Sequence, residues 1–309
     1  MRKVIGIGET LLDIIFKDNK PVEAVPGGST FNAIVSLGRV GADAFFVTET
    51  GDDHVGALVR SFLSSNNVCT DYVLERKGWK SPVSLAFLDS DNNANYTFYR
   101  DPNADPVDIP LPDINSDDIV LFGSFYAVSP ATRARVIALL ERARDCGAII
   151  YYDVNFRPSH RGDVMKVTPN LIENLEFADI VRGSRDDFEV LYKKDSAERV
   201  YRAETSFYCP RLVYTDGPRP VTVFSDDGFR KEYAMPETPT VSTIGAGDNF
   251  NAGLICAMLR YDIRRADIER GLTEAEWSKL VESATAFSAD CCAGIYNYVS
   301  KEFGASHSL

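Results

Sequence analysis

The sequence predicts an α/β fold with a mainly parallel central sheet, and three observations carry that prediction. Apolar segments of strand length alternate with amphipathic segments of helix length. The 309 residues are 45% hydrophobic, enough for a core that shields roughly 75% of the unfolded surface. No flexible tract, low-complexity run or internal repeat divides the chain, so one domain spanning 1–309 is expected.

Lys3 to Gly8 is the first apolar strand, followed by a helix over Thr30 to Val40, a strand over Ala44 to Thr48 and a helix over His54 to Ser64. Ile119 to Gly123 reads as a buried strand. Ser129-Pro130 reads as the N-cap and first turn of a helix whose Val136, Leu139, Leu140 and Ala143 share one face, ended by Gly147. Ile149 to Val154, Ala178 to Val181, Leu212 to Thr215 and Val221 to Ser225 follow as strands, mostly separated by helical segments. Two regions break the alternation: Leu11 to Pro26, and Pro82 to Arg100, where Ser84 to Leu88 and Asn95 to Tyr99 flank the turn-rich Asp89 to Asn93. Both read as β-ribbons, expected to pair into one small sheet over the ligand side as a lid inserted at about 11–26 and 82–100. The proline- and aspartate-rich Asp101 to Asp118 reads as a connecting loop.

The formal net charge of −12 repels a phosphate backbone, so nucleic acid is not an expected partner. Any phosphate must be held locally, by backbone dipoles, a few arginines and a metal ion. No apolar run approaches the ~20 residues of a membrane span. Glu9 and Asp13 interrupt any secretory signal after Arg2-Lys3, so a cytoplasmic protein is expected. The six cysteines form no Cys-x-x-Cys pair and only three histidines accompany them, which argues against structural zinc; Cys291-Cys292 reads as small apolar packing.

The strongest chemical signal is Ser242-Thr243-Ile244-Gly245-Ala246-Gly247-Asp248, running into an amphipathic helix over Asn249 to Leu259. Two glycines around an alanine let backbone N–H groups converge at a helix N-terminus, where they and the helix dipole favour an anionic phosphate. Asp248, beside that nest, is placed to accept a proton from a hydroxyl nucleophile. An ordinary glycine turn with an acidic helix start is the blander reading. Pro26-Gly27-Gly28-Ser29-Thr30-Phe31-Asn32 also precedes a helix; its glycines allow close approach of a polyol, and Asn32 offers both donor and acceptor, although a tight turn with an N-cap explains it equally. Gly6-Ile7-Gly8 lacks a third glycine, because Leu11 stands there, and no P-loop, Gly-x-Ser-x-Gly elbow, His-Glu-x-x-His or protein-kinase signature occurs.

The two glycine blocks, their order and their separation resemble the two signature regions of the ribokinase-like (PfkB) carbohydrate kinase family. The resemblance runs from Ile5-Gly6-Ile7-Gly8-Glu9 through Asp153-Val154-Asn155-Phe156-Arg157 to the Gly-Ala-Gly-Asp block, and Tyr96 to Asp105 is most similar to fructokinases. It implies a three-layer α/β/α sandwich with a small β-sheet lid, and transfer of the ATP γ-phosphoryl group to a primary hydroxyl of a small sugar, with Mg²⁺ bridging phosphates. Carried over by position, Asp248 matches the catalytic base and Gly245, Ala246 and Gly247 the anion hole. Asp13, Gly28 and Asn32 match sugar contacts, Arg100 an arginine that reaches sugar or phosphate, and Arg157 a weaker phosphate candidate. Thr215 and Gly217 match a Thr-x-Gly element near the nucleotide.

This chain departs from the family pattern at three positions. Ser184 and Asp187 replace the named residues of an Asn-x-x-Glu motif; Asp187 keeps the charge on a shorter arm, compatible with magnesium placement through water. Ser242 stands where many relatives carry an aspartate of a monovalent-cation site, which weakens the case for K⁺. Fructose is the acceptor the resemblance favours, with 2-keto-3-deoxygluconate or ribose as alternatives within the family. A catalytically weak sugar- or nucleotide-binding regulator is the alternative of another class. A two-piece β lid with an exposed apolar face could also clasp its copy in a homodimer.

Overall fold

Continuous apolar runs can be satisfied only by strands covered on both faces, and they form one ten-stranded sheet in the computed structural model, which describes residues 2–89, 94–101 and 108–309. In chain order the strands are β1 (Lys3–Ile7), β2 (Leu11–Lys17), β3 (Lys20–Gly27), β4 (Asp43–Gly51), β5 (Val68–Cys69), β6 (Val73–Arg76), β7 (Val83–Leu88), β8 (Ala94–Tyr99), β9 (Ile119–Gly123), β10 (Ile149–Asp153), β11 (Ile180–Ser184), β12 (Leu212–Thr215), β13 (Val221–Phe224) and β14 (Arg230–Tyr233). The helices are α1 (Ser29–Arg39), α2 (His54–Ser65), α3 (Ser124–Val128), α4 (Arg133–Asp145), α5 (Val164–Phe177), α6 (Arg185–Tyr192), α7 (Ala197–Val200), α8 (Ala246–Arg260), α9 (Arg265–Arg270), α10 (Glu274–Cys292) and α11 (Lys301–Ser306).

The large sheet has the order β14-β13-β12-β11-β10-β9-β1-β4-β5, with β6 also on β4. It is parallel from β12 to β5 and antiparallel only at β13 and β14. Successive side chains go to opposite faces: Val4, Ile149 and Ile180 join a core with Phe31 of α1, Leu254 of α8 and Trp277 of α10. Their neighbours Ile5, Ile150 and Val181 join a second core with Leu139 of α4, Leu171 of α5 and Phe188 of α6. The result is an α/β/α sandwich with a core on each side of the sheet.

The strands that alternate apolar and polar residues form the second, four-stranded sheet, in the order β3-β2-β7-β8. β2 and β7 run parallel at its centre, with Asp13 opposite Ser84, and β3 and β8 flank them antiparallel. The turn residues 90–93 and the stretch 102–105 of the fructokinase-like segment lie outside the described residues.

Two local expectations are corrected. Ser129-Pro130 does not open a helix: Ser129 closes the short α3, with its N–H on the carbonyl of Phe125, and its extended ψ of 131° is what a following proline demands. α4 begins at Arg133, after Thr132. The strand expected over Ala178 to Val181 lies at Ile180–Ser184, because Ala178 is the C-cap of α5.

Candidate active site

α8 begins where the chain needs a left-handed residue. Gly245 has φ 77°, and a Cβ there would lie 2.5 Å from the carbonyl oxygen of Asn297, so only glycine fits. The Asn249 amide donates to the carbonyls of Gly245 (2.8 Å) and Asn297 (2.9 Å), and its own oxygen accepts from Ser36 and the Val299 N–H, tying the start of α8 to α1 and the 297–299 segment. Ala246 and Gly247 form the first residues of the helix. Beside Gly247 sits a buried arginine: a Cβ there would come within 2.8 Å of Arg182 Nη1.

Asp248 is buried in that first turn with both carboxylate oxygens occupied. Oδ1 accepts from Ser29 Oγ at 2.9 Å and Oδ2 from the Asn32 amide at 2.8 Å. Burial pushes its pKa up, opposed by the Asn32 bond, the Arg157 charge, the Ser29 bond and the Arg182 charge. The side-chain oxygen of Asn32, Oδ1, is buried with no partner among the described residues. Behind the nest Arg182 donates to Asp153 Oδ1 (3.1 Å) and to Thr215 Oγ1 (2.7 Å), and burial raises the Asp153 pKa against the Arg182 charge.

Asp13, from β2, lines the same cavity as Asp248. Ser84 of β7 donates to its Oδ1, and the Asn297 amide donates to Oδ2 at 2.9 Å. Burial pushes its pKa up to about 6 although both hydrogen bonds oppose the shift. Gly28, the N-cap of α1, has φ 136° and packs so tightly that a Cβ would sit 2.3 Å from the carbonyl of Glu9.

The cavity, about 60 Å³, is lined by Asp13, Gly28, Asn32, Arg157, Gly245 and Asp248 among others. The Arg157 guanidinium lies over the Tyr96 ring at 5.8 Å, and His160 stacks on Phe125 with centroids 3.8 Å apart. Burial and the nearby Arg100 hold the His160 pKa down. Arg100, just after β8, does not line this cavity; it pairs at 2.6 Å with Glu9, which does, joining the small sheet to the segment after β1.

Thr215, Gly217 and Asp187, like Arg100, Ala246 and Gly247, are not among the residues that line the cavity. Thr215 ends β12 and accepts from Arg182, while Gly217, φ 54°, has open space where a Cβ would project. Asp187 is a buried cap of α6: Oδ1 accepts from the Phe156 N–H at 2.8 Å and Oδ2 from the Ser184 N–H and hydroxyl, both at 2.7 Å. Its oxygens thus fix the backbone beside Arg157. Ser242 is buried, and its hydroxyl accepts from the Ile244 N–H at 3.2 Å. Among the described residues no three His, Cys, Asp or Glu side chains are grouped to hold a metal ion, and no helix is long and apolar enough to cross a membrane.

Sequence reasoning missed Ser29, Ser84, Arg182 and Asn297. Ser29 stands inside the first glycine block, between Gly28 and Asn32, and its position there was the available signal. The other three carry no local signal, because their partners lie on other elements.

Comparison with known proteins bears on this geometry. A family model described as pfkB family carbohydrate kinase matches residues 1–293. A probable fructokinase-6, chloroplastic, of Arabidopsis thaliana is 25% identical over 285 residues, 88% of this chain and 74% of its own. Fructokinase-1 of Oryza sativa subsp. japonica is 25% identical over 268 residues, 82% of this chain and 81% of its own. Among solved structures, a double-mutant fructokinase of Vibrio cholerae O395 bound to fructose, ADP and potassium ion has a TM-score of 0.85 at 19% identity, covering 100% of this chain and 99% of its own. Aminoimidazole riboside kinase of Salmonella enterica, complexed with aminoimidazole riboside and an ATP analogue, gives 0.83 at 20% identity, covering 99% of both chains.

Proposed function

The chain belongs to the pfkB family of carbohydrate kinases, and from that premise we propose that it phosphorylates fructose at a primary hydroxyl with ATP as donor. The observation that carries the proposal is a buried Asp248 in the first turn of α8, lining one cavity together with Asp13. Asp248 accepts the hydroxyl proton as the oxygen bonds to the γ-phosphorus and the bond from that phosphorus to the β,γ-bridging oxygen breaks, releasing ADP; its raised pKa strengthens it as a base. The hydroxyl takes the place of Ser29 or Asn32 on one carboxylate oxygen. N–H groups at Gly245 and Gly247, and at Ala246 once it leaves the Thr243 carbonyl to which it donates at 3.2 Å, with the Arg182 and Arg157 guanidiniums, neutralise charge on the transferred group.

Asp13 and Gly28 orient the sugar, and the unpartnered Asn32 oxygen accepts from one of its hydroxyls. Thr215 and Gly217 serve the nucleotide side, and Asp187 acts through the backbone it holds beside Arg157. Mg²⁺ would enter as a companion of the nucleotide, with Asp187 reaching it only through water because both its oxygens are engaged within the protein; bound, it would offset phosphate charge. The four-stranded sheet is the lid, and the Glu9–Arg100 pair latches it, excluding water that would otherwise compete for the phosphoryl group. Its exposed Val22, Phe87 and Tyr99 suit a second copy, and a monomer mass in solution scattering would reject that homodimer.

The test is coupled ADP release with Mg-ATP against fructose, ribose, 2-keto-3-deoxygluconate and nucleosides, each with and without K⁺. Fructose-selective turnover insensitive to K⁺ is expected, the latter because Ser242 carries no charge. In Asp248→Asn turnover should fall by roughly 10²-fold or more with sugar binding retained. Near-normal turnover would remove the base assignment, and selective turnover of another sugar would remove fructose alone.

A further inference from the structure

Of the groups that bond to the Asp248 carboxylate or face it with positive charge, only one can also accept a hydrogen bond. The Asn32 amide nitrogen and the Arg157 and Arg182 guanidiniums offer N–H alone, whereas the Ser29 hydroxyl carries one proton and two lone pairs. All of them suit an anionic Asp248. A protonated Asp248 has a hydrogen to give, and of these groups only Ser29 Oγ, beside Oδ1, can take it.

Ser29 also has a second acceptor in reach. Its Oγ lies 2.9 Å from Asp248 Oδ1 and 3.5 Å from Asp153 Oδ2, and its single proton serves one of them at a time. Asp153 is held in place: Arg182 donates to its Oδ1 at 3.1 Å, and Asn251, which takes the Tyr151 hydroxyl at 2.9 Å, also bonds its carboxylate. Asn32 has no such freedom. It is 4% exposed, and turning its amide over would set its unpartnered Oδ1 against the Asp248 carboxylate. Ser29 lines the cavity, so a sugar hydroxyl arriving there meets a neighbour of Asp248 that gives way by rotating its own hydroxyl.

We propose that Ser29 is a positioning residue that follows the proton: it donates to Asp248 in the empty site, turns to Asp153 as the sugar hydroxyl takes its place on Oδ1, and accepts from Asp248 once the proton has moved. The inference rests on the reading of Asp248 as the base. The sugar O–H bond breaks as its oxygen bonds to the γ-phosphorus, ADP leaves with the bridging oxygen, and the proton forms an Oδ1–H bond. That hydrogen then turns from the new ester oxygen to Ser29 Oγ, freeing the product. Water entering as the product leaves carries the proton away, and Ser29 returns to Oδ1. The hydroxyl therefore competes with the sugar in the ground state and supports Asp248 as it becomes protonated, so it acts on affinity and on turnover in opposite senses.

The experiment measures Kd for fructose by calorimetry, and kcat with Mg-ATP, in the wild-type protein, Ser29→Ala and Ser29→Thr. Ser29→Ala should tighten fructose binding about threefold and lower kcat about tenfold. Ser29→Thr, which restores the hydroxyl, should move both values back toward those of the wild type. A serine that merely touched the sugar or started α1 would weaken binding when removed. Unchanged or weaker fructose binding in Ser29→Ala, an unchanged kcat, or a Ser29→Thr protein as slow as Ser29→Ala would therefore overturn the inference while leaving the kinase reading intact. If fructose binds and no sugar is phosphorylated, the base reading fails on its own terms; tighter binding in Ser29→Ala then supports the exchange at Oδ1, and unchanged or weaker binding overturns it. If fructose does not bind and another sugar of the panel does, that sugar takes its place in both measurements; binding of none overturns the inference together with the acceptor site.

Discussion

Replacing Asp13 by Asn should stabilise the protein while destroying its use of sugar, and the gain should grow with pH. Asp13 is buried, and its pKa is pushed from 3.8 to about 6. A native pKa above the unfolded one means that between these values the native state holds a proton the unfolded chain has lost. Wild-type stability therefore falls as pH rises through that window, and the full penalty applies above it. Each pH unit crossed within the window costs about 1.4 kcal/mol, so the penalty is about 3 kcal/mol at pH 8 and about 1.5 kcal/mol at pH 5. Asn is nearly isosteric and does not titrate, and the Asn297 oxygen, buried without a partner among the described residues, can turn to receive its amide. With an unfolding entropy of about 2 cal/mol/K per residue, Asp13→Asn should raise Tm by about 5 °C at pH 8 and about half that at pH 5. Thermal melts of both proteins between pH 5 and 8 measure the gap, and turnover should show kcat/KM for sugar falling by about 10²-fold. A lower Tm at pH 8, or a gap that does not change with pH, would refute the reasoning.

Gly245→Ala forces a Cβ against the Asn297 carbonyl at a left-handed backbone position. It should cost about 2–4 kcal/mol in urea unfolding and displace the N–H nest, lowering kcat; an unchanged midpoint would refute the tight fit. Arg182→Gln strands the buried Asp153 and should cost about 3–5 kcal/mol at pH 7. That deficit should shrink as pH falls, because a protonated Asp153 needs no cation; a deficit constant with pH would refute the pairing.

How much of this was legible in the sequence depends on the range of each interaction. The start of α8 is local, so Gly245 to Asp248 announce a helix N-terminus with an acid in its first turn. Asp13 was legible only through family resemblance, since a lone aspartate in a ribbon looks like any other. Asp13 acquires its environment from Ser84 on a neighbouring strand and from Asn297, 284 positions away, and no periodicity encodes such a meeting. Arg182 lies two residues before Ser184, but its direction toward Gly247 follows from the register of β11 against β10 and β12. Ser129-Pro130 misled because the same pair that starts helices also stops them, and the five residues of α3 were too short to show periodicity. Asp187 read as a charge for the nucleotide, whereas the nearby Ser184 makes it a cap.

The bond between Asn297 and Asp13 also fixes a timetable. At translation rates of about 5–20 residues per second, roughly 15–60 seconds separate the synthesis of these two residues. Asn297 also supplies the carbonyl against which Gly245 packs. A nascent chain therefore carries Asp13 and the whole four-stranded sheet well before it can complete either end of the site. Every shorter intermediate on the ribosome lacks both contacts until residue 297 has been added, so the two ends of the cavity are joined only at the close of synthesis.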